Sequence, residues 1–321
     1  MRVLITGVGG FVGGHLSQYL IRHIPQAELH GTIIAPHEAT RLTGVACHLM
    51  ELRDPQATLE LISQIQPDHI YHLAAQAFVP RSFEDPWETL ENNILAQLNV
   101  IQACMKLNFK PRMVIVSSAE IYGVVQPHEL PLTEESPFRP TSPYSVSKVA
   151  QDMLGLQYYL SHRMPIMRAR AFNHLGPGQN ERFVAPDFAL QIARIEMGQQ
   201  TAEIYVGDLS AQRDFTDVRD VVRAYCLIME RGVPGDVYNV ASGKAYSIRT
   251  LLETLLKHST ANIRVVVDPA RFRPTEIPVL RGDASRLYKA TDWRPQITFE
   301  QTILDVLNDC RERVQQERKV S

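Results

Sequence analysis

The stretch "RVLITGVGGFVGGHL", Arg2 to Leu16, constrains the fold of this chain more than any other. A short β-branched run ends at Gly7, glycines follow in the spacing GxxGxxG at Gly7, Gly10 and Gly13, and an amphipathic helical pattern opens at once over Phe11 to Ile24. Glycines at such a junction allow a tight turn and close backbone approach, so the free N–H groups and the dipole of the helix N-terminus can hold a pyrophosphate. A glycine-rich turn alone is a weak sign. Placed between the first strand and the first helix it is a much stronger one.

The same alternation continues downstream. "ELHGTII" (Glu28 to Ile34), "HIYHLAA" (His69 to Ala75) and "RMVIVSS" (Arg112 to Ser118) are strand candidates, with helices expected over Asp54 to Gln66, from about Glu84 to Leu107, and after Ser142. This order implies an α/β fold, a doubly wound parallel sheet of the Rossmann type. Past "PIMRARAFN" (Pro165 to Asn173) the alternation loosens and Pro/Arg-rich loops such as "DPARFRPTE" (Asp268 to Glu276) appear. The expected division is a dinucleotide-binding domain over residues 1–172, with returns to the sheet around 213–242 ("DVYNVAS"), and a smaller interleaved lobe over 173–212 and 243–321.

Composition narrows the partners. The 321 residues carry 33 basic and 35 acidic side chains, a net charge of -2, so no extended positive field offers itself to nucleic acid. Cys47, Cys104, Cys226 and Cys310 are scattered without metal or redox spacing, as expected for reduced thiols, and no metal site is expected. No apolar run reaches a membrane span and the N-terminus lacks the pattern of a signal peptide, so a cytoplasmic protein with no membrane partner is expected.

In "RPTSPYSVSK" (Arg139 to Lys148), Ser142 is a good N-cap and Pro143 suits the first helical position, which places Tyr144 and Lys148 on one helix face at i, i+4. A free phenol ionises near pH 10, and an adjacent ammonium is expected to lower that value towards neutrality. Upstream, "VSSAEIYG" delivers Ser118 to the C-terminal edge of the sheet, where open α/β folds bind ligands.

The glycine turn, "HLAAQ" (His72 to Gln76), Asn93 in "ENNILAQLNV", Ser118 and the Tyr144/Lys148 pair together resemble, in order and over nearly the whole chain, the extended short-chain dehydrogenase/reductases acting on nucleotide sugars. The resemblance implies that Ser118 polarises the reacting oxygen, Tyr144 transfers its proton, and Lys148 binds the nicotinamide ribose with support from Asn93. It also implies cofactor contacts at Gly7, Gly10, Phe11, Val12, Gly13, Glu51, Leu52, Leu73, Ala74 and Ala75, with Glu51 near the adenine. The second strand ends "TIIAPHEATR" with neither an acid nor an arginine at its tip; Glu38 and Arg41 lie further along and read as solvated loop charges. NADP(H) is favoured, with NAD(H) possible. Relatives often dimerise through the helices corresponding to 93–107 and 142–162, so a homodimer is expected.

In the second lobe the resemblance extends to "FNHLGPGQ", "RDFTDVRD" and "FRPTE". By it, Arg213 and Arg273 would clamp a diphosphate, Glu276 the nucleotide ribose, Asp187 the guanine N–H donors, and Asn173 and Val184 would also line the substrate. GDP-fucose epimerase-reductases carry a cysteine after the serine and a histidine in the following loop, where this chain has Ala119 and Gly178. GDP-mannose 4,6-dehydratases carry a carboxylate at the position of Glu120, so that reading stays open although the "KRDWG" and "QDGSYL" patterns are absent. The motif wording is nearest to the branch that reduces the C4 ketone of GDP-4-keto-6-deoxy-D-mannose to GDP-D-rhamnose. Another nucleotide-sugar epimerase or dehydratase, and then a dinucleotide-sensing protein without catalysis, are the remaining readings.

Overall fold

In the computed structural model the described residues are 1–272 and 277–320. Two expected ligands of the substrate, Arg273 and Glu276, lie outside them. The first half of the chain runs β1 (Arg2–Thr6), α1 (Phe11–His23), β2 (Glu28–Ile33), β3 (Ala46–Leu49), α2 (Pro55–Ile65) and β4 (His69–His72). It continues α3 (Val79–Glu84), α4 (Pro86–Lys106), β5 (Arg112–Ser118), α5 (Pro143–His162) and β6 (Ile166–Ala171). The second half comprises β7 (Asn173–Leu175), α6 (Val184–Glu196), β8 (Glu203–Val206), β9 (Gln212–Asp217), α7 (Val218–Arg231) and β10 (Val237–Val240). Last come β11 (Ala245–Ser247), α8 (Ile248–Lys257), β12 (Arg264–Val267), β13 (Val279–Leu280), α9 (Ser285–Thr291) and α10 (Phe299–Val320).

Seven parallel strands form the main sheet in the order β10-β6-β5-β4-β1-β2-β3. The direction of winding reverses between β1 and β4, which opens a crevice at the carboxyl ends of these two strands. One face of the sheet is covered by α1, α7 and α9 through Leu16, Leu20, Val221, Tyr225 and Leu287; the other is covered by α2, α4 and α5 through Ile62, Val100 and Tyr158. Both faces are therefore buried, and strand sequences such as "VLIT" are apolar without alternation.

Local chemistry sets the boundaries. Asp54 caps α2 by accepting the N–H groups of Gln56 and Ala57, and Ser142 caps α5 with Pro143 in the first turn. The helix expected from about Glu84 to Leu107 is α4, which starts where Asp85 leaves helical geometry (φ -135°, ψ 85°) and caps it by accepting from Glu88 N–H; the short α3 before it was not expected. Strand β3 is absent from the sequence expectation; it is a half-exposed edge strand and carries little apolar signal.

A second core, around Leu190, Ile192, Leu251, Ile303 and Leu307, joins α6, α8 and α10 to the small sheet in which β9 pairs with β7, β11 and β13. The expected return to the main sheet from residue 213 needs correction. Strand β9 belongs to the small sheet, and the return begins with α7 at Val218, because Asp217 caps that helix and the chain turns back against β5 and β6. Likewise α9 and Trp293, expected in the smaller lobe, are built into the main core.

Candidate active site

The crevice deepens into a cleft of about 1330 Å³ running between the two cores. At one end lies the glycine turn. Gly7 has φ +69°, reachable without strain only by glycine, and a Cβ there would lie 3.0 Å from the Ala74 Cα. A Cβ on Gly13 would stand 2.5 Å from the Gly7 carbonyl, so the helix can close against the strand only because that side chain is absent. Gly10, the N-cap of α1, supplies no side-chain cap, which leaves first-turn N–H groups facing the cleft. This is a cradle shaped for a pyrophosphate, and it fits a dinucleotide. Phe11, Val12, Glu51, Leu52, Leu73, Ala74 and Ala75 line the same cleft.

Two of those expectations change in detail. Glu51 is already engaged: it accepts from Arg53 Nη2 at 2.7 Å and from the Arg53 backbone, and this partnership holds its carboxyl below the ordinary value. Glu38 is no loop charge adrift in water. Its Oε2 accepts the N–H of Ile34 at 3.2 Å, its side chain lies so close to Gly9 that a Cβ there would meet it at 2.3 Å, and both Glu38 and Arg41 line the cleft. The short 3-10 helix over Pro36–Arg41 folds back and carries an acid and an arginine to the rim, which strand-end reasoning missed.

At the centre of the cleft, β5 and α5 bring Ser118, Glu120, Tyr144 and Lys148 to one wall. The Tyr144 phenol is 8% exposed, hydrogen-bonds the Ser118 hydroxyl, and has its pKa pushed up to about 12, chiefly by burial, with Glu120 adding to the rise. The expectation that Lys148 would lower it is overturned in the protein alone. Lys148 Nζ donates to the Val116 carbonyl at 2.9 Å and stands 6.0 Å from the Tyr144 ring centroid, and its own pKa falls to about 7 because the ammonium is buried. Neither group's shift carries a contribution from the other: burial leads the rise at Tyr144 and alone lowers Lys148.

Asn93, expected to support Lys148 by hydrogen bonds or water, makes its direct bonds elsewhere. It is fully buried; its amide donates to Gln76 O (3.1 Å) and Ser147 Oγ (2.8 Å) and accepts from Gln76 N–H (2.7 Å). It fastens the loop after β4 to α5, one residue from Lys148, and does not bond the ammonium. Its neighbour Asn92 lines the cleft instead.

At the far end the cleft is lined by Asn173, His174, Arg182, Val184, Asp187, Arg213, Arg271 and Arg313. Asp187 forms an ion pair with Arg271 at 2.8 Å, so a free carboxylate for base recognition is not what the structure offers; burial nevertheless keeps its pKa raised. Arg213 donates through Nη1 to the carbonyls of Ile277 and Gln212. Sequence reasoning missed Arg182, Arg271 and Arg313, although Arg271 lies in the quoted loop two residues before Arg273. His174 stacks on Phe11, and desolvation lowers its pKa.

No group of His, Cys, Asp or Glu among the described residues is arranged to hold a metal, and no described helix is long and apolar enough to cross a membrane.

The family described as GDP-mannose 4,6 dehydratase matches residues 4–306. GDP-6-deoxy-D-mannose reductase of Pseudomonas aeruginosa is 39% identical over 316 residues, covering 98% of this chain and 99% of that protein. The structure of RMD from Pseudomonas aeruginosa complexed with NADPH superposes with a TM-score of 0.85 at 37% identity over 97% of this chain and 99% of that one. UDP-glucose 4-epimerase of Thermus thermophilus, complexed with NAD, gives a TM-score of 0.86 at 28% identity over 97% of this chain and 99% of that one. NADP(H) and NAD(H) are thus both consistent with the cleft. The fold, the cradle and these full-length likenesses place the chain in the GDP-mannose 4,6-dehydratase-like family of extended short-chain dehydrogenase/reductases.

Proposed function

We propose that the protein reduces the C4 ketone of GDP-4-keto-6-deoxy-D-mannose with NAD(P)H, giving GDP-D-rhamnose. The observation that carries this reading is the full-length likeness to a GDP-6-deoxy-D-mannose reductase. A bound NAD(P)H would supply the hydride. Ser118 hydrogen-bonds the substrate oxygen as it gains charge, and Tyr144 protonates it. Lys148 orients the cofactor ribose. Arg213 and Arg273 hold the diphosphate, and residues 173–212 and 243–321 supply most of the substrate lobe.

The buried phenol is suited to donating a proton. A phenol with a pKa of about 12 is still a strong enough acid to protonate an alkoxide, whose conjugate acid ionises about as weakly as water, near 15.7. The second reading, a GDP-mannose 4,6-dehydratase, is favoured by Glu120, a carboxylate lining the cleft beside Tyr144.

Incubation with GDP-mannose alone separates the two. A reductase leaves it unchanged, whereas a dehydratase converts it to the 4-keto sugar without net loss of cofactor. Supplying the keto sugar with NADPH then gives loss of reduced cofactor and one C4 epimer; no cofactor loss with either NADPH or NADH overturns the proposal.

A further inference from the structure

His72 ends β4 directly behind the cleft, fully buried, and takes no part in the chemistry above. Three contacts meet at the Thr6 hydroxyl: it accepts the N–H of Leu73 at 3.1 Å and of Ala74 at 3.2 Å, and it lies 3.0 Å from His72 Nδ1. A hydroxyl has two lone pairs and one proton. Both lone pairs are taken by the amides, so the proton goes to His72 Nδ1, which must be the bare nitrogen. Burial keeps the ring neutral, far below its ordinary pKa, and so the ring proton sits on Nε2.

That nitrogen faces the side-chain amide of Gln151, 3.5 Å away, with the amide nitrogen towards it and the buried amide oxygen without any partner. Two N–H groups face to face are repulsive, and an orphaned buried carbonyl is costly. Oxygen and nitrogen of a side-chain amide are told apart by their partners. Turning the Gln151 amide over gives its oxygen the missing donor and removes the clash.

We propose that His72 is a positioning residue fixed as its Nε2–H tautomer, linking Thr6, at the threshold of the glycine turn, through Gln151 to α5, which bears Tyr144 and Lys148. The chain Thr6 Oγ–H to His72 Nδ1, then His72 Nε2–H to Gln151 Oε1, spans β1, β4 and α5, the elements that must keep register if a dinucleotide on the turn is to meet Tyr144. Gln151 follows Lys148 by one helical turn, so its side chain acts on the segment that places the ammonium. The consequence for turnover rests on the reductase reading; the tautomer does not.

The test has two arms on the full-length chain. In protein labelled with 15N-histidine, the His72 resonances, assigned as those absent from His72→Gln, should show a protonated Nε2 and a bare Nδ1 with no titration between about pH 5 and 8. A protonated Nδ1, or titration inside that window, overturns the proposal. In the second arm, His72→Phe and Gln151→Leu should each lower kcat about tenfold to a hundredfold with a smaller change in NADPH affinity measured by fluorescence, and the double variant should be no slower than the slower single one. Losses that multiply, or kcat at the parent value in folded variants, overturn it. If the keto sugar is not a substrate at all, the tautomer and the NADPH affinities still decide.

Discussion

Lys148 and Tyr144 share one face of α5, yet the ammonium turns to the Val116 carbonyl at 2.9 Å and stays 6.0 Å from the phenol ring centroid. Each group is dominated by its own burial, Tyr144 raised to about 12 and Lys148 lowered to about 7. On the proposed reductase reading, proton donation by Tyr144 needs no preformed phenolate. Tyr144→Phe should retain NADPH binding and lose reduction by about 10²–10⁴-fold, the contribution of a positioned general acid. Single-turnover loss of reduced cofactor with the keto sugar checks this.

Lys148 also predicts a pH dependence of stability in the protein without cofactor. Its folded pKa of about 7 lies below the ordinary lysine value of about 10.4, so between these two values the unfolded chain binds more protons and stability rises with pH. Lys148→Met removes this penalty. The variant should therefore melt higher than the parent at about pH 7, with the gap closing as pH approaches about 10. Thermal melts at both values decide; a gap that widens with pH contradicts the assignment.

The main sheet and the placement of Ser118, Tyr144 and Lys148 on one wall of the cleft were legible in the sequence because each rests on local rules. "RMVIVSS" forms a strand over the same seven residues, and Ser142–Pro143 starts α5 at the expected place. The substrate end was less legible. In "RDFTDVRD" the motif suggested ligand contacts, but the three aspartates are largely structural: Asp214 accepts N–H groups from Ser242, Gly243 and Gly282, Asp217 caps α7 and binds Thr302, and Asp220 accepts from Gln296 and Ile297. Their partners lie far along the chain, where spacing gives no signal. The same holds for Asp187, whose partner Arg271 is 84 residues away.

Glu38 should bias cofactor choice. Its carboxylate, held at the end of β2 by the Ile34 N–H, stands at the rim where a 2′-phosphate would add like charge, with Arg41 the nearby compensating cation. Glu38→Gln should raise kcat/KM for NADPH relative to NADH by about tenfold, and Arg41→Ala should move the ratio the other way. Steady-state rates with the two cofactors measure it; an unchanged ratio in both variants rejects the assignment.

The helices behind the catalytic wall leave Trp87 and Leu95 of α4 and Val146 and Leu160 of α5 exposed, Trp87 to 74%. Burying these faces against a second copy would form the four-helix contact expected from the resemblance. Light scattering at micromolar concentration should give twice the 36.3 kDa chain mass, and Trp87→Glu should return it to one. A monomer in the parent protein rules the contact out.

The approach to α5 is pinned at Gly123. This residue has φ +57°, and a Cβ there would lie 1.6 Å from the Arg139 carbonyl, so the loop after Glu120 and the segment entering α5 touch backbone to backbone. Arg139 N–H donates to the Ile121 carbonyl at 3.1 Å, and Val124 N–H donates to the Arg139 carbonyl at 3.3 Å. Gly123→Ala adds left-handed strain and an overlap that no rotamer relieves, a loss of about 2–4 kcal/mol. Because the strained contact joins the segments bearing Ser118 and Tyr144, kcat should fall at temperatures where the variant is still folded. Denaturant melts with matched kinetics check both, and a variant as stable and as fast as the parent would show that the two loops move apart freely.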